Sequence, residues 1–187
     1  YYLFIIFNYH RIRGSHEDEL FFIKKFLGKK RRFIDIGGNR GIYSFYYADK
    51  FSNVECFEPI KEITNKLSAI NKKNITIHNI GLSNKNEFKT LYIPYEDKNL
   101  ATPLASINKP LQSLFLEIEI ELKTLDEFNF KDVDFIKIDV EGLEFNVIKG
   151  AIKTIKTCKP VLLIEIEQRH NEQNIQSIFT FIQKLGY

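Results

Sequence analysis

The residues of this 187-residue chain that best suit ligand chemistry stand in a short glycine-rich segment, 33–41. Asp35, Gly37, Asn39 and Gly41 follow an apolar run here and precede an apolar pattern of helical length. This order predicts a strand, a tight turn and a helix N-terminus. Glycines permit positive φ angles and close approach of a ligand, and the first N–H groups of a helix favour an anionic or electron-rich group. The segment therefore predicts a small-molecule cradle; a glycine-rich turn without a ligand is the alternative.

An acid follows this segment at a spacing typical of nucleotide-binding α/β proteins. Glu58 lies 21 residues beyond Gly37 (58 − 37) and closes the apolar run 54–57. A carboxylate at the end of the second strand, about 20 residues on, can accept hydrogen bonds from both hydroxyls of a ribose. The dinucleotide fingerprint Gly-x-Gly-x-x-Gly is not met, because Gly37 and Gly41 are four residues apart with Asn39 between them. A nicotinamide-dependent oxidoreductase is therefore the weaker interpretation.

Alternating strand and helix patterns must position these residues. We predict strands over 33–36, 54–57, 75–80, 133–139 and 161–165, and helices over 15–27, about 41–51, about 60–70, 144–155 (with a break near Gly150) and 174–185. This alternation predicts an α/β fold with a mostly parallel, doubly wound, Rossmann-like sheet and right-handed crossovers. Ligands bind such sheets beyond the carboxyl ends of the strands. The residues predicted at those ends are Asp35, Glu58, Gly81, Asp139 and either Glu165 or Glu167.

The middle of the chain has a different pattern of apolar and polar residues. Segments 87–93 and 117–123 alternate apolar and polar residues, which predicts an antiparallel, half-exposed hairpin inserted into the fold. Segment 94–113 contains Pro94, Pro103 and Pro110 without a clear periodicity, and a loop of this length in a compact domain is usually functional or mobile. Residues 124–127 form a capping box, which explains Asp126 and Glu127 without any catalysis.

Composition and cysteine use limit the class of protein. Hydrophobic residues make up 44% and charged residues 27%, as in ordinary globular proteins, and a net charge of +3 does not by itself indicate nucleic acid. The apolar start, 1–7, is shorter than the roughly 20 residues that span a bilayer and lacks the features of a signal peptide. The chain contains no Met, so we do not expect Tyr1 to be the natural start. Cys56 and Cys158 fall on or beside strands that are not neighbours, which predicts free thiols and a cytoplasmic protein.

Six motifs occur in an order that resembles the FkbM-type methyltransferase family. They are Asp-Ile-Gly-Gly-Asn-Arg-Gly (35–41), Phe-Glu-Pro (57–59), Gly-Leu-Ser (81–83), Thr-Leu-Asp (124–126), Ile-Lys-Ile-Asp-Val-Glu-Gly-Leu-Glu (136–144) and Leu-Ile-Glu-Ile-Glu (163–167). The first is similar to the Asp-x-Gly-x-Gly-x-Gly loop of class I S-adenosylmethionine methyltransferases, with Asn39 in the second glycine position. The resemblance implies a single methyltransferase domain over 1–187, with 1–14 as an N-terminal extension and 15–187 as the catalytic core. The family usually continues into a closing antiparallel strand pair, so we expect the last strands to be missing.

The resemblance implies methyl transfer from S-adenosylmethionine to a hydroxyl of a saccharide, glycolipid or similar small molecule. Asp35 would orient the loop and hold the methionine amino group, directly or through water, and Glu58 would bind the ribose. Pro59 would lie beside the adenine, which Asn79, Gly81 and Leu82 would border. The full set of cofactor residues implied is Asp35, Gly37, Asn39, Gly41, Glu58, Pro59, Asn79, Gly81, Leu82 and Asp139.

The proton acceptor is left open among several acids and one histidine. Asp139 and Glu141 are two residues apart and would point the same way on an extended strand. Methyl transfer requires an aligned nucleophile and, for a hydroxyl, removal of its proton. The candidates are Asp139, Glu141 and His170, with Glu165 and Glu167 behind them, and each also has a structural alternative such as pairing with Lys137. We predict no metal; a Mg²⁺ ion held by Asp139 or Glu141 with Glu165 or Glu167 is an alternative.

Two other functions remain in competition at this level. A nucleic-acid methyltransferase usually carries an Asn/Asp-Pro-Pro-aromatic signature after the fourth strand, where this chain has Asp-Val-Glu-Gly, 139–142. We therefore predict no nucleic-acid partner. A scaffold that keeps the cofactor fold but has lost its chemistry is the non-catalytic alternative. Segment 92–116 is the part that we expect to select the acceptor.

Overall fold

A parallel six-stranded sheet forms the centre of the protein in a computed structural model that describes residues 3–6, 23–96, 99–109, 114–166 and 175–187. Its strands are β1 (Leu3–Ile6), β2 (Arg32–Ile36), β3 (Asn53–Phe57), β4 (Ile75–His78), β9 (Val133–Ile138) and β10 (Val161–Glu165). The spatial order is β1–β10–β9–β2–β3–β4, and each neighbouring pair is parallel. The strand order reverses between β2 and β9, where a doubly wound sheet opens its ligand crevice.

Helices cover both faces of this sheet. They are α1 (Ile42–Ala48), α2 (Lys61–Ser68), α3 (Glu144–Gly150), α4 (Ile152–Cys158) and α5 (Ile175–Lys184). The break predicted near Gly150 is confirmed, since α3 ends there and α4 begins after Ala151. The predicted α/β, Rossmann-like fold is confirmed.

Each face of the sheet has its own apolar core, because the central strands are apolar on both sides. On one face, Phe33 of β2 stacks on Phe135 of β9 with 4.7 Å between ring centroids, and Tyr47 of α1 meets Phe33 edge-on at 5.3 Å. On the other face, alternate strand residues pack against α3, α4 and α5 in a larger cluster that includes Ile34, Ile36, Ile136, Ile138, Val147, Ile148, Ile155, Ile178 and Ile182. These two layers fix the carboxyl ends of the strands.

A second sheet is inserted between β4 and β9. Its strands are β5 (Gly81–Leu82), β6 (Glu87–Glu96), β7 (Asn99–Leu100) and β8 (Phe115–Lys123), in the order β5–β8–β6–β7. The predicted hairpin is confirmed, because β6 and β8 pair antiparallel from Glu87↔Leu122 to Pro94↔Phe115. The strand predicted over 75–80 ends earlier, at His78, and Gly81–Leu82 pairs in parallel with β8 instead.

The capping box predicted at Thr124 is wrong in its hydrogen bonds. A turn of 3₁₀ helix does form over Leu125–Phe128, but the Thr124 side chain makes no capping bond. Asp126 instead accepts hydrogen bonds from the first turn of α4: from the backbone N of Lys153 at 2.9 Å, and from the backbone N and hydroxyl of Thr154 at 2.8 and 2.9 Å. The carboxylate therefore caps a helix 26 residues further along the chain (152 − 126), a partner that local sequence cannot identify.

Several other predictions can be compared with the structure. Residues 3–6, which we assigned to an N-terminal extension, form β1 and pair with β10 from Leu3↔Leu162 to Ile6↔Glu165. Residues 15–22 of the first predicted helix lie outside the described residues, as do Glu167 and His170. Cys56 on β3 and Cys158 at the end of α4 are both free, as predicted. None of the helices in the described part of the chain is long and apolar enough to cross a lipid bilayer.

Candidate functional site

A cleft of about 710 Å³, including its open mouth, lies beyond the carboxyl ends of β2, β3 and β9. The inserted sheet forms the facing wall. The predicted site residues that the structure brings together in its lining are Gly37, Asn39, Glu58, Pro59, Gly81, Leu82, Asp139 and Glu141. Asp35, Gly41 and Asn79 are not among the lining residues and act from behind it.

The glycine turn ties the ends of three strands together. The backbone N–H groups of Gly37 and Gly38 both donate to the carbonyl of Phe57, at the end of β3, at 3.0 and 3.1 Å. Gly37 has φ +77°, and a Cβ atom there would lie 1.8 Å from the carbonyl oxygen of Asp139. No side chain fits in this space, so glycine is required for the turn to approach the end of β9.

Gly41 serves packing rather than the lining. It precedes α1 with φ +75°, and a Cβ atom there would come within 2.8 Å of both Leu67 and the ring of Phe45. Helix α1 is only seven residues long. The contribution of Gly41 is to let the chain turn from the cleft into this short helix.

Asp35 lies beneath the glycine turn and is fully buried. Its Oδ2 atom accepts a hydrogen bond from the Ser44 hydroxyl of α1 at 2.6 Å. Its Oδ1 atom has no hydrogen-bond partner in the described part of the chain and lies 3.9 Å from the Nζ atom of Lys137. Burial raises the pKa of Asp35, while Lys137 and the Ser44 hydroxyl oppose this rise. The carboxyl group thus joins β2, α1 and β9 below the cleft.

Glu58 is held in place by backbone groups on both sides. Its Oε2 atom accepts from the N–H of Asn39 and its Oε1 atom from the N–H of Ile60, both at 2.9 Å. The residue is 4% exposed, and burial raises its pKa against the effect of these two hydrogen bonds. Each carboxylate oxygen can accept a second hydrogen bond. Behind it, the Asn79 amide donates to the carbonyl of Pro59 at 2.8 Å, which steadies the segment without lining the cleft.

Asn39 presents an unpaired acceptor at the cleft wall. Its backbone has φ +42°, a conformation that Asn tolerates better than most residues. Its Oδ1 atom is buried without a hydrogen-bond partner among the described residues. Buried polar atoms are nearly always paired. An orphan acceptor in the lining is therefore suited to a donor group on a bound ligand.

Asp139 and Glu141 both line the cleft, but not from an extended strand. Strand β9 ends at Ile138, and the chain then turns through Glu141 at φ +43° and Gly142 at φ +102°. The extended strand that we assumed for the two acids does not form, so they reach the same cleft through a turn and not through strand alternation. A glutamate in the left-handed region stores strain, which is often found at functional sites. The Ser106 hydroxyl donates to the Glu141 carbonyl at 3.1 Å and holds the turn against the inserted sheet.

Lys137 was considered in the sequence only as a structural partner for an acid. It is 6% exposed, and its Nζ atom lies 3.1 Å from Asp139 Oδ2 and 3.4 Å from the Gly37 carbonyl oxygen. Burial alone would lower the pKa of Lys137, but the carboxylates of Asp139 and Asp35 outweigh it and raise the pKa. The signal for this contact is the strand register, in which Lys137 of β9 pairs with Asp35 of β2. The sequence does not reveal that register.

The wall opposite the glycine turn comes from the insertion. Most of its side chains are apolar, and they belong to both hairpin strands and to the segment between them. Its residues are Leu91, Thr102, Pro103, Ala105, Ile107, Ile120 and Leu122. Part of this wall falls within the 92–116 segment that we expected to select the acceptor. Leu91, Ile120 and Leu122 could not be predicted as cleft residues, because the sequence shows them only as apolar positions of alternating strands.

Among the remaining predicted residues, only Glu165 lies within the described part of the chain. Glu165 ends β10 and does not line the cleft, and His170 and Glu167 lie outside the described residues. Across the ranges that the structure describes, no three His, Cys, Asp or Glu side chains are grouped so that they could hold a metal ion.

Comparison with known proteins agrees with this arrangement. A family model described as the methyltransferase FkbM domain matches residues 35–187. A curated relative, "Methyltransferase 1" of Beauveria bassiana (strain ARSEF 2860), is 27% identical over 143 residues, covering 63% of this chain and 57% of the relative.

A solved structure shares the fold. The crystal structure of Methyltransferase FkbM from Methylobacillus flagellatus KT aligns with a TM-score of 0.56 and 20% identity. The alignment covers 83% of this chain and 37% of that protein. The present chain thus spans less than two thirds of the length of either relative.

Proposed function

Because the chain belongs to the FkbM methyltransferase family, we propose that it is an S-adenosylmethionine-dependent O-methyltransferase that acts on a hydroxyl of a saccharide, glycolipid or similar small molecule. The family match spans 35–187 and so includes every residue that lines the cleft. The observation that carries the proposal is that Glu58, the glycine turn and Asp139 meet at this one cleft.

The cleft lining fits a nucleoside sulfonium ligand. Glu58 retains an accepting lone pair on each oxygen, which suits the two hydroxyls of a ribose. The buried Oδ1 atom of Asn39 has no hydrogen-bond partner in the described part of the chain. Pro59, Ile60 and Leu82 offer an apolar surface beside Glu58 for a purine ring. At the other end of the glycine turn, Asp139 supplies the negative charge that a cationic ligand group requires.

Each residue of the chain has a distinct part in the proposed reaction. S-adenosylmethionine would supply a methyl carbon that its sulfonium charge makes electrophilic. Glu58 and Asn39 hold the nucleoside, while Asp35 fixes the turn through Ser44. Catalysis then depends on alignment of the acceptor oxygen and on removal of its proton. Asp139 and Glu141 are the described cleft residues at that end whose carboxylates suit proton removal, and Glu141 takes this part where Asp139 binds the cationic group of the ligand.

The inserted sheet provides the acceptor side of the cleft in this proposal. Its wall is apolar apart from the Thr102 hydroxyl, so it suits the carbon face of a sugar ring or an aliphatic part of an acceptor. The hydrogen bond from the Ser106 hydroxyl to the Glu141 carbonyl joins this wall to the proposed reaction centre.

Calorimetric titration with S-adenosylmethionine and S-adenosylhomocysteine tests the cofactor assignment. We expect saturable binding by the wild type and a loss of about 100-fold in affinity for Glu58→Gln, because one acceptor of a ribose hydroxyl is lost and the other no longer carries a negative charge. Glu62→Gln is the matched control, since Glu62 is exposed on α2 and pairs with Lys66. Absence of heat with folded wild-type protein would reject the proposal. Methyl transfer from labelled cofactor to a panel of saccharides and glycolipids then tests the acceptor class.

A further inference from the structure

The buried ammonium of Lys137 lies where four parts of the site meet. Its Nζ atom is 3.1 Å from Asp139 Oδ2, 3.4 Å from the Gly37 carbonyl oxygen and 3.9 Å from Asp35 Oδ1. It also lies 4.9 Å from the centre of the Tyr43 ring of α1. Of these partners, Asp139 and Gly37 line the cleft, whereas Lys137 itself does not. The lysine therefore contacts the cleft lining from behind.

The Lys137 ammonium lies close to two carboxylates, those of Asp35 and Asp139. Asp35 lies on β2 and is buried, whereas Asp139 directly follows the neighbouring strand β9 and is partly exposed. The nearby Asp139 carboxylate adds to the rise in the pKa of Asp35, because like charges close together repel each other. An ammonium between them offsets this repulsion. Its single charge also holds the Gly37 carbonyl in a defined position.

From this geometry we infer that Lys137 is a positioning residue that orients Asp139 as an acceptor for a cationic group of the ligand. The inference rests on the proposed function and deepens it. The cationic group is the ammonium of the amino-acid tail, near the sulfonium, and Lys137 acts on it only through Asp139 and the Gly37 carbonyl. Without the lysine, Asp139 Oδ2 and the Gly37 carbonyl lose the donor that holds them, so the acceptor for the ligand tail is no longer fixed in place.

Ligands with and without the tail separate this role from a structural one. S-adenosylmethionine and S-adenosylhomocysteine both carry the amino-acid ammonium, whereas adenosine carries only the part that Glu58 would bind. For Lys137→Met at pH 7 we expect affinity for the two tailed ligands to fall by at least about tenfold. Affinity for adenosine should stay within about twofold of the wild type, since the Glu58 contacts are unchanged. Lys66→Met, on the exposed face of α2, is the matched control and should change none of the three affinities.

A second variant keeps the inference testable if Lys137→Met does not fold. Asp139→Asn preserves the size of the side chain and leaves Lys137 in place, and we expect the same selective loss of the tailed ligands. Equal weakening of all three ligands by the variant that folds, or no weakening of any, would overturn the inference. Failure of the wild type to bind any of the three ligands would instead reject the proposed function itself.

Discussion

Glu58 has both of its oxygens fixed by backbone N–H groups, one from the glycine turn and one from the start of α2. Its carboxylate is therefore oriented before any ligand binds, so less side-chain entropy is lost on binding. Asn39, which also lines the cleft, is linked to Glu58 through its own N–H group. The nucleoside end of the site is thus preorganised by main-chain contacts.

The Cys56 thiol should be inert in the folded protein. It is fully buried on β3, and burial, with the nearby Asp35 carboxyl adding to it, raises its pKa far above that of a free thiol. Only thiolates react readily with disulfide reagents. With dithiobis(nitrobenzoate) we expect the native chain to titrate one of its two cysteines, Cys158, and the unfolded chain to titrate both.

The Cys158→Ala variant supplies the control for this measurement. It should show no reactive thiol until guanidinium unfolds the chain. Two thiols that react at the same rate in the native wild type would contradict the burial of Cys56.

Some residues of the site could be predicted from their type and spacing in the sequence. Others take their place from the strand register or the backbone conformation, which the sequence does not show. Glu58 and Gly37 could be identified because a spaced acid and a strand-end glycine have few other uses together. Lys137 could not, since its contact with Asp35 depends on the register between β2 and β9. Glu141 lines the cleft as predicted, but its left-handed backbone could not be predicted, because the residue type gives no signal for it.

At the scale of elements, helix α4 depends on a carboxylate from outside the helix. Asp126 accepts three hydrogen bonds from Lys153 and Thr154 in its first turn. Loss of an N-terminal capping group typically costs about 0.5–2 kcal/mol. We expect Asp126→Ala to lower the free energy of unfolding in urea by about 1–2 kcal/mol.

The neighbouring acid is a matched control for Asp126. Glu127 accepts one exposed hydrogen bond from the Asn86 amide at 2.6 Å. Its replacement by Ala should cost about 0.5 kcal/mol or less, as is usual for surface positions. Equal effects of the two substitutions would show that the cap contributes nothing specific.

Gly150 is required where α3 meets the insertion. A Cβ atom at this position would lie 2.0 Å from the backbone carbonyl oxygen of Ser83, which cannot rotate away. Gly→Ala within a helix normally stabilises by about 0.5–1 kcal/mol. Here we expect Gly150→Ala to lower the free energy of unfolding by about 1–3 kcal/mol, because the helix and the segment after β5 must separate.

Gly28→Ala provides the comparison for this substitution. No atom lies within 4 Å of a Cβ built at Gly28, and its φ angle is not in the left-handed region. Its urea midpoint should therefore equal or slightly exceed that of the wild type. A Gly150→Ala variant as stable as Gly28→Ala would mean that the close approach of α3 to Ser83 does not hold in solution.

The strands and helices that the sequence predicted well are those with a regular apolar pattern over several residues. The central strands and the β6–β8 hairpin have such patterns, and the strands that pair with them favour the same conformation, so local preference and tertiary packing agree. β1 could not be assigned because seven apolar residues fit a strand, a helix or an exposed patch equally. β5 was merged with β4 since only its pairing with β8 separates the two.

For the molecule as a whole, the buried acid beneath the cleft should make stability depend on pH. Burial raises the pKa of Asp35 above its ordinary value of about 3.9. The folded protein then binds this proton more tightly than the unfolded chain does. The stabilisation is complete below about pH 4 and is lost as pH rises through the folded pKa.

Asp35→Asn isolates this contribution, because Asn can still accept the hydrogen bond from Ser44. We expect the unfolding free energy of the wild type, relative to the variant, to fall as pH rises from about 4 to 7. Urea unfolding of both proteins at several pH values measures the difference. A difference that stays constant or grows with pH would contradict the assigned direction of the Asp35 pKa.

The inserted sheet has a further consequence for how this scaffold diversifies. Its strands β5 to β8 pair with one another and not with the six-stranded sheet, in the ranges that the structure describes. Leu91, Ile107 and Ile120 can therefore be exchanged without shifting any register that supports Glu58 or Asp139. Evolution, or an engineer who grafts the hairpin of one homologue onto another, can thus alter the shape of one wall while the opposite wall is inherited intact.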